Sequence, residues 1–161
     1  MVDRNKFIDC DWAIFFGNSS GDDIDHDGGV IKNNMIYRNP DQTGDTGIAL
    51  NKTRNVKVYH NTVILNDTFG WNIEFRRFAE GKDEPADQIK NNITDGRIRK
   101  RDFGQAVVES NLTEASPDWF QNPYQGDLHL VQSAEQAIDA ALDLEEVQVD
   151  FDQEARPTGK A

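Results

Sequence analysis

The segments Val30-Ile31-Lys32-Asn33-Asn34-Met35-Ile36 and Lys57-Val58-Tyr59-His60-Asn61-Thr62-Val63 are two copies of one pattern. It returns as Gln88-Ile89-Lys90-Asn91-Asn92-Ile93-Thr94 and Val107-Val108-Glu109-Ser110-Asn111-Leu112-Thr113, and a degenerate first copy reads Asp3-Arg4-Asn5-Lys6-Phe7-Ile8. Each copy sets out an apolar residue, an exposed polar residue, one or two polar turn residues and a second apolar pair, in that order. Written in register, one column holds Lys6, Asn34, Asn61, Asn92 and Asn111. Between copies lies a second kind of short segment: Ala13-Ile14-Phe15-Phe16, Gly47-Ile48-Ala49-Leu50, Asn72-Ile73-Glu74-Phe75 and Arg97-Ile98-Arg99.

Both kinds alternate with a period of two between Asn, Gly and Asp, which predicts short strands and not helices. A unit this short buries its apolar side chains only against its neighbours, so the repeats predict a solenoid with coils roughly 4.8 Å apart. The expected fold is all-β, a short right-handed parallel β-helix of about five coils. Residues 1–130 form the coils and residues 131–161 a C-terminal capping tail. The asparagine column is expected to sit at a left-handed corner and to pass hydrogen bonds from coil to coil, since Asn tolerates that backbone and its amide both donates and accepts.

Composition narrows the partners. At 161 residues and 37% hydrophobic content the chain supports one modest core. Seventeen Lys and Arg against twenty-nine Asp and Glu leave a net charge of −12, which argues against nucleic acid and against an anionic membrane surface. No segment approaches the roughly 18 apolar residues of a spanning helix, and Met1-Val2-Asp3-Arg4 has no apolar signal core. The single Cys10 excludes an internal disulfide and reads as a buried apolar filler.

The forms IKNNMIY, VYHNTVI, IKNNITD and ESNLT resemble the repeats of right-handed parallel β-helix proteins, the pectin-lyase-like superfamily. The run Gly126-Asp127-Leu128-His129-Leu130, then Ala137-Ile138-Asp139 and Asp150-Phe151-Asp152-Gln153-Glu154-Ala155-Arg156-Pro157, is similar to the closing segment of many secreted bacterial members. The resemblance implies the C-terminal part of a longer β-helix protein whose relatives are mostly secreted or periplasmic. It also implies carbohydrate binding or processing, lyase-like or hydrolytic on an acidic polysaccharide if catalytic. The competing reading is a non-catalytic module that oligomerises or binds a ligand, because this superfold hosts inactive scaffolds as well as enzymes. An uncapped first coil around Phe7 to Phe16 exposes unpaired strand edges, so a homo-oligomer covering it is expected.

Strand alternation nominates the site residues. With Ile73 and Phe75 inward, Asn72, Glu74 and Arg76 face out, and Arg97, Arg99 and Arg101 stand alongside on the next coil. A guanidinium stripe neutralises a uronate carboxylate while a neighbouring base removes its α-proton, so Glu74, Arg76, His60 and His26 are the candidate catalytic groups. Arg97, Arg99 and Arg101 join Lys32, Tyr59 and Lys90 of a second outward column as candidate substrate-binding residues, cations and an aromatic ring suiting an acidic sugar. The structural alternatives are an ordinary Glu74–Arg99 surface pair and a His60 that merely replaces Asn in the corner column. Asp22, Asp23, Asp25 and Asp27, between glycines, are candidate ligands for Ca²⁺ or a solvated turn. Trp12, Phe15, Trp71, Trp119 and Phe120 read as packing. In the tail, Ser133 to Glu146 reads as a short amphipathic helix opened by a capping box.

Overall fold

The computed structural model describes residues 1–18, 23–78, 80 and 85–156. The chain winds as a parallel β-solenoid, with each winding laying one strand in each of three sheets. The first winding contributes β1 (Val2–Asp3), β2 (Lys6–Ile8), β3 (Ile14–Gly17) and a short β4 (His26–Asp27). The second contributes β5 (Val30–Lys32), β6 (Met35–Tyr37), β7 (Ile48–Asn51) and β8 (Thr53–Arg54). Then come β9 (Lys57–Tyr59), β10 (Thr62–Ile64) and β11 (Ile73–Arg77), followed by β12 (Asp87–Lys90), β13 (Ile93–Thr94) and β14 (Ile98–Asp102). The strand β15 (Ala106–Glu109) closes the stack, and a hairpin, β16 (Phe120–Asn122) with β17 (Asp127–Leu130), opens the tail.

The first sheet runs β1-β5-β9-β12-β15, the second β2-β6-β10-β13 and the third β3-β7-β11-β14, all parallel, beside a short β4-β8 ladder. The complete windings fall short of the expected five. The outer copies explain the shortfall. The last adds β15 and an isolated Ile93–Leu112 bridge, while the first supplies strands of only two and three residues before β3.

Alternation delivers the core that the repeats require. Ile31, Val58 and Ile89 from the first sheet meet Ile36 and Val63 from the second and Ile48, Leu50, Ile73 and Phe75 from the third, all buried. The amide ladder crosses every winding. Each Asn Nδ2 donates to the Oδ1 of the next, from Asn34 to Asn61 at 2.8 Å, Asn61 to Asn92 at 3.0 Å and Asn92 to Asn111 at 2.8 Å. The first rung belongs to Asn5, whose Nδ2 lies 3.0 Å from Asn34 Oδ1. Lys6 instead pairs with Met35, so the expected column is corrected by one residue in the first copy.

The left-handed corner also lies one residue earlier than expected. Arg4, Asn33, His60, Asn91 and Ser110 carry the positive φ, between 52° and 57°. The turn they make points the following amide into the corner, where it meets its counterparts.

The tail departs from expectation twice. Residues 133–146 form turns and no α-helix, and Asp139, at a φ of 55°, interrupts any helical run. Nor do its described residues lie across the end of the stack, because they run along the side. Phe120 and Leu128 pack with Met35, Tyr37 and Ile64 on the outside of the second sheet. Beyond them Leu142 exchanges two hydrogen bonds with the Asn91 amide, Asn33 Nδ2 donates to Val149 O and Arg156 donates to Asn33 Oδ1.

Candidate functional site

The tail decides which outer faces remain open. It covers the second sheet and reaches onto the first, where Lys57 Nζ meets Glu146 Oε1 at 2.5 Å and Lys32 Nζ donates to Glu146 O at 3.2 Å. Tyr59 is 1% exposed and its phenol donates to Gln88 Oε1 at 2.7 Å. Burial, with the charge of Glu146 beside it, pushes that phenol up to about 12. Lys90 pairs with Glu109 at 3.0 Å. In the expected sugar-stacking column of Lys32, Tyr59 and Lys90 the aromatic ring is buried, Lys90 is in an ion pair and Lys32 reaches a backbone carbonyl.

The third sheet's outer face is different. Parallel register places Glu74 beside Arg99 and Arg76 beside Arg101, as the alternation required. The pairing between them differs in detail: Arg101 Nη1 donates to Glu74 Oε2 at 2.9 Å, and Arg76 pairs with Asp102. Trp71 Nε1 donates to the same Glu74 oxygen at 2.8 Å. Glu74 is 4% exposed, held by two donors. Asn72 turns away from this face, giving its amide to Val63 O at 2.8 Å and to Asp95 at 2.5 Å.

Sequence reading missed the aromatic part of this face. The guanidinium carbons of Arg101 and Arg99 lie 5.3 Å and 5.9 Å from the Trp71 ring centroid. Trp12 is 49% exposed and stacks on Phe15 at 4.8 Å and 10° between planes. Trp12 and Trp71 each stand two residues before a third-sheet strand, and that shared offset was the signal available in the sequence. Arg76 adds a third cation–ring contact, 4.0 Å over Phe78.

The remaining candidates lie apart. His26 belongs to the β4-β8 ladder, tilted against Phe16 at 4.4 Å. His60 sits at the corner between the first and second sheets, where burial, with Arg156 adding to it, pushes its imidazole down to about 3. The four groups nominated for catalysis are thus spread over three places, and Glu74 has only Arg76 for company. In the acidic loop Asp22 lies outside the described residues. Asp25 pairs with the buried Lys52 at 2.7 Å and Asp27 with Arg54 at 2.7 Å. Among the described residues no three His, Cys, Asp or Glu side chains gather as a metal group.

Two structural residues were also misread or overlooked. Cys10 is only half-buried. Arg38 is fully buried and donates from Nη2 to the carbonyls of Cys10, Asp11 and Asp45 at 2.8, 2.7 and 2.6 Å, tying together the loops that enter the third sheet. Among the described residues no helix is long and apolar enough to cross a membrane. Compared with known proteins, the chain matches no family model, no curated protein and no solved structure.

Proposed function

We propose that the outer face of the third sheet binds an acidic polysaccharide, and that the chain acts there as a non-catalytic binding module. One observation carries the reading: on the wall the tail leaves uncovered, Trp12 stacked on Phe15 shares a face with Trp71, Arg99 and Arg101. Exposed aromatic rings stack on sugar rings, and guanidinium groups pair with uronate carboxylates in a bidentate fork. The resemblance of the repeats to the pectin-lyase-like superfamily, and the secreted bacterial setting it implies, support the same ligand class.

Binding without cleavage is favoured by the state of Glu74. A base that removes a proton must be free to approach it, and this carboxylate is buried beneath Trp71 and Arg101. His60 and His26 stand on other walls.

Calorimetric titration with polygalacturonate tests the proposal. The wild type is expected to bind, more weakly as salt is raised, without new absorbance from an unsaturated product. Trp71→Ala should lower the affinity roughly tenfold, the scale of a lost cation–ring contact. Absence of binding at low salt would sink the reading, and an unsaturated product would replace the module with a lyase.

A further inference from the structure

Between the tail and the corner of the first and second sheets lies a cavity of about 200 Å³. It adjoins a second, larger hollow of about 790 Å³ beneath residues 137–148, and His60, Leu130, Ala137, Ala141 and Arg156 line both. The walls are largely apolar: Met35, Ile93, Leu112, Leu128, Leu130 and Phe151. The small side chains of Ala137, Ala140 and Ala141 keep the space open.

Its polar lining is unbalanced. The acids are committed: Asp150 accepts the N–H groups of Asp152 and Glu154, and Asp152 pairs at 2.8 Å with His129, which Asp127 holds from the other side at 2.5 Å. The donors are not. Asn91 Nδ2 lies 3.0 Å from His60 Nε2, so in the neutral ring that nitrogen accepts and the proton sits on Nδ1. Nδ1 has no partner among the described residues. Arg156 gives one Nη2 bond to Asn33 and feels the charge of Asp150, while its Nε–H is buried with no hydrogen-bond partner among the described residues. A buried donor without an acceptor, such as the Arg156 Nε–H, is uncommon in folded proteins and points to a missing group.

We propose that this cavity is a binding site for a small organic carboxylate with a short apolar body, its oxygens taking the His60 Nδ1–H and the Arg156 guanidinium and its chain lying against Leu130 and Phe151. Taken alone the cavity is below the usual range for drug-sized ligands and suits a molecule of a few carbons. The proposal does not depend on the third sheet, which forms another wall.

Hexanoate is the probe, with hexanamide as its uncharged counterpart. Millimolar hexanoate is expected to shift the His60 ring resonances in an NMR titration and to raise the melting temperature, and hexanamide to do neither. Arg156→Gln should weaken binding roughly tenfold or more, the scale of one charge-assisted hydrogen bond. Ala137→Leu, which fills the space without touching a polar group, should abolish binding in a folded protein even if Arg156→Gln loosens the tail. Equal binding of hexanamide, or unmoved His60 resonances with saturating hexanoate, would overturn the proposal.

Discussion

Asn61 shows how much of this architecture rests on one side-chain type. It is 0% exposed. Its Nδ2 faces the carbonyls of Ile31 and Tyr59 and the Oδ1 of Asn92, while its own Oδ1 accepts from both the backbone and the amide of Asn34. A leucine of similar volume would strand those groups in a dry corner, each costing about 1–3 kcal/mol. Asn61→Leu is therefore expected to lower stability by about 3 kcal/mol or more in urea denaturation, and Asn5→Ala, at the exposed end of the same ladder, by about 1 kcal/mol. Equal losses at both positions would contradict the ladder. The column itself was legible in the sequence. Its first member was not, because Asn5 and Lys6 are both polar residues before an apolar one, and only pairing with a neighbouring strand distinguishes them.

The sheets were legible as elements because their cause is local: alternation and turn residues sit within each repeat. The tail was not, because its course is set by partners far away in sequence, such as Asn33, Lys57 and Asn91. Its apolar spacing fits a helix, yet its backbone closes only short local turns, commits Leu142 and Glu146 to the solenoid wall and turns left-handed at Asp139. The same long-range placement hid the fate of Tyr59 and Lys32, outward by alternation but covered by the tail. His60 reports on this docking. Its imidazole is held down at about 3 in the folded chain by burial and Arg156, against about 6.5 when unfolded. Between those values the unfolded chain binds the extra proton, so stability is full above about pH 6.5 and falls as pH drops toward about 3. His60→Asn, which keeps the left-handed corner and an acceptor for Asn91, should flatten this part of the pH profile in chemical denaturation. An unchanged profile would place His60 outside the tail contact.

On the scale of the whole molecule, the two ends of the stack are built differently. At one, the inward column Phe16, Leu50, Phe75 runs out in Lys100, an inward charge of the kind that blunts an open edge. At the other, Val2, Phe7 and Phe16, all apolar, end their columns only partly buried against the core. Self-association is expected through the first coil: a dimer by light scattering at micromolar concentration, lost in Phe7→Glu and retained in Lys100→Glu. A monomeric wild type would contradict this. Side by side, the covered first and second sheets leave the third as the face that offers rings and cations together. Assigning chemical shifts during a titration with oligogalacturonate tests that directly. The account predicts that the indole N–H signals of Trp12 and Trp71 move first, with Arg99 and Arg101 beside them. Movement confined to Lys32, Lys57 and the tail, or no movement at all, would contradict it.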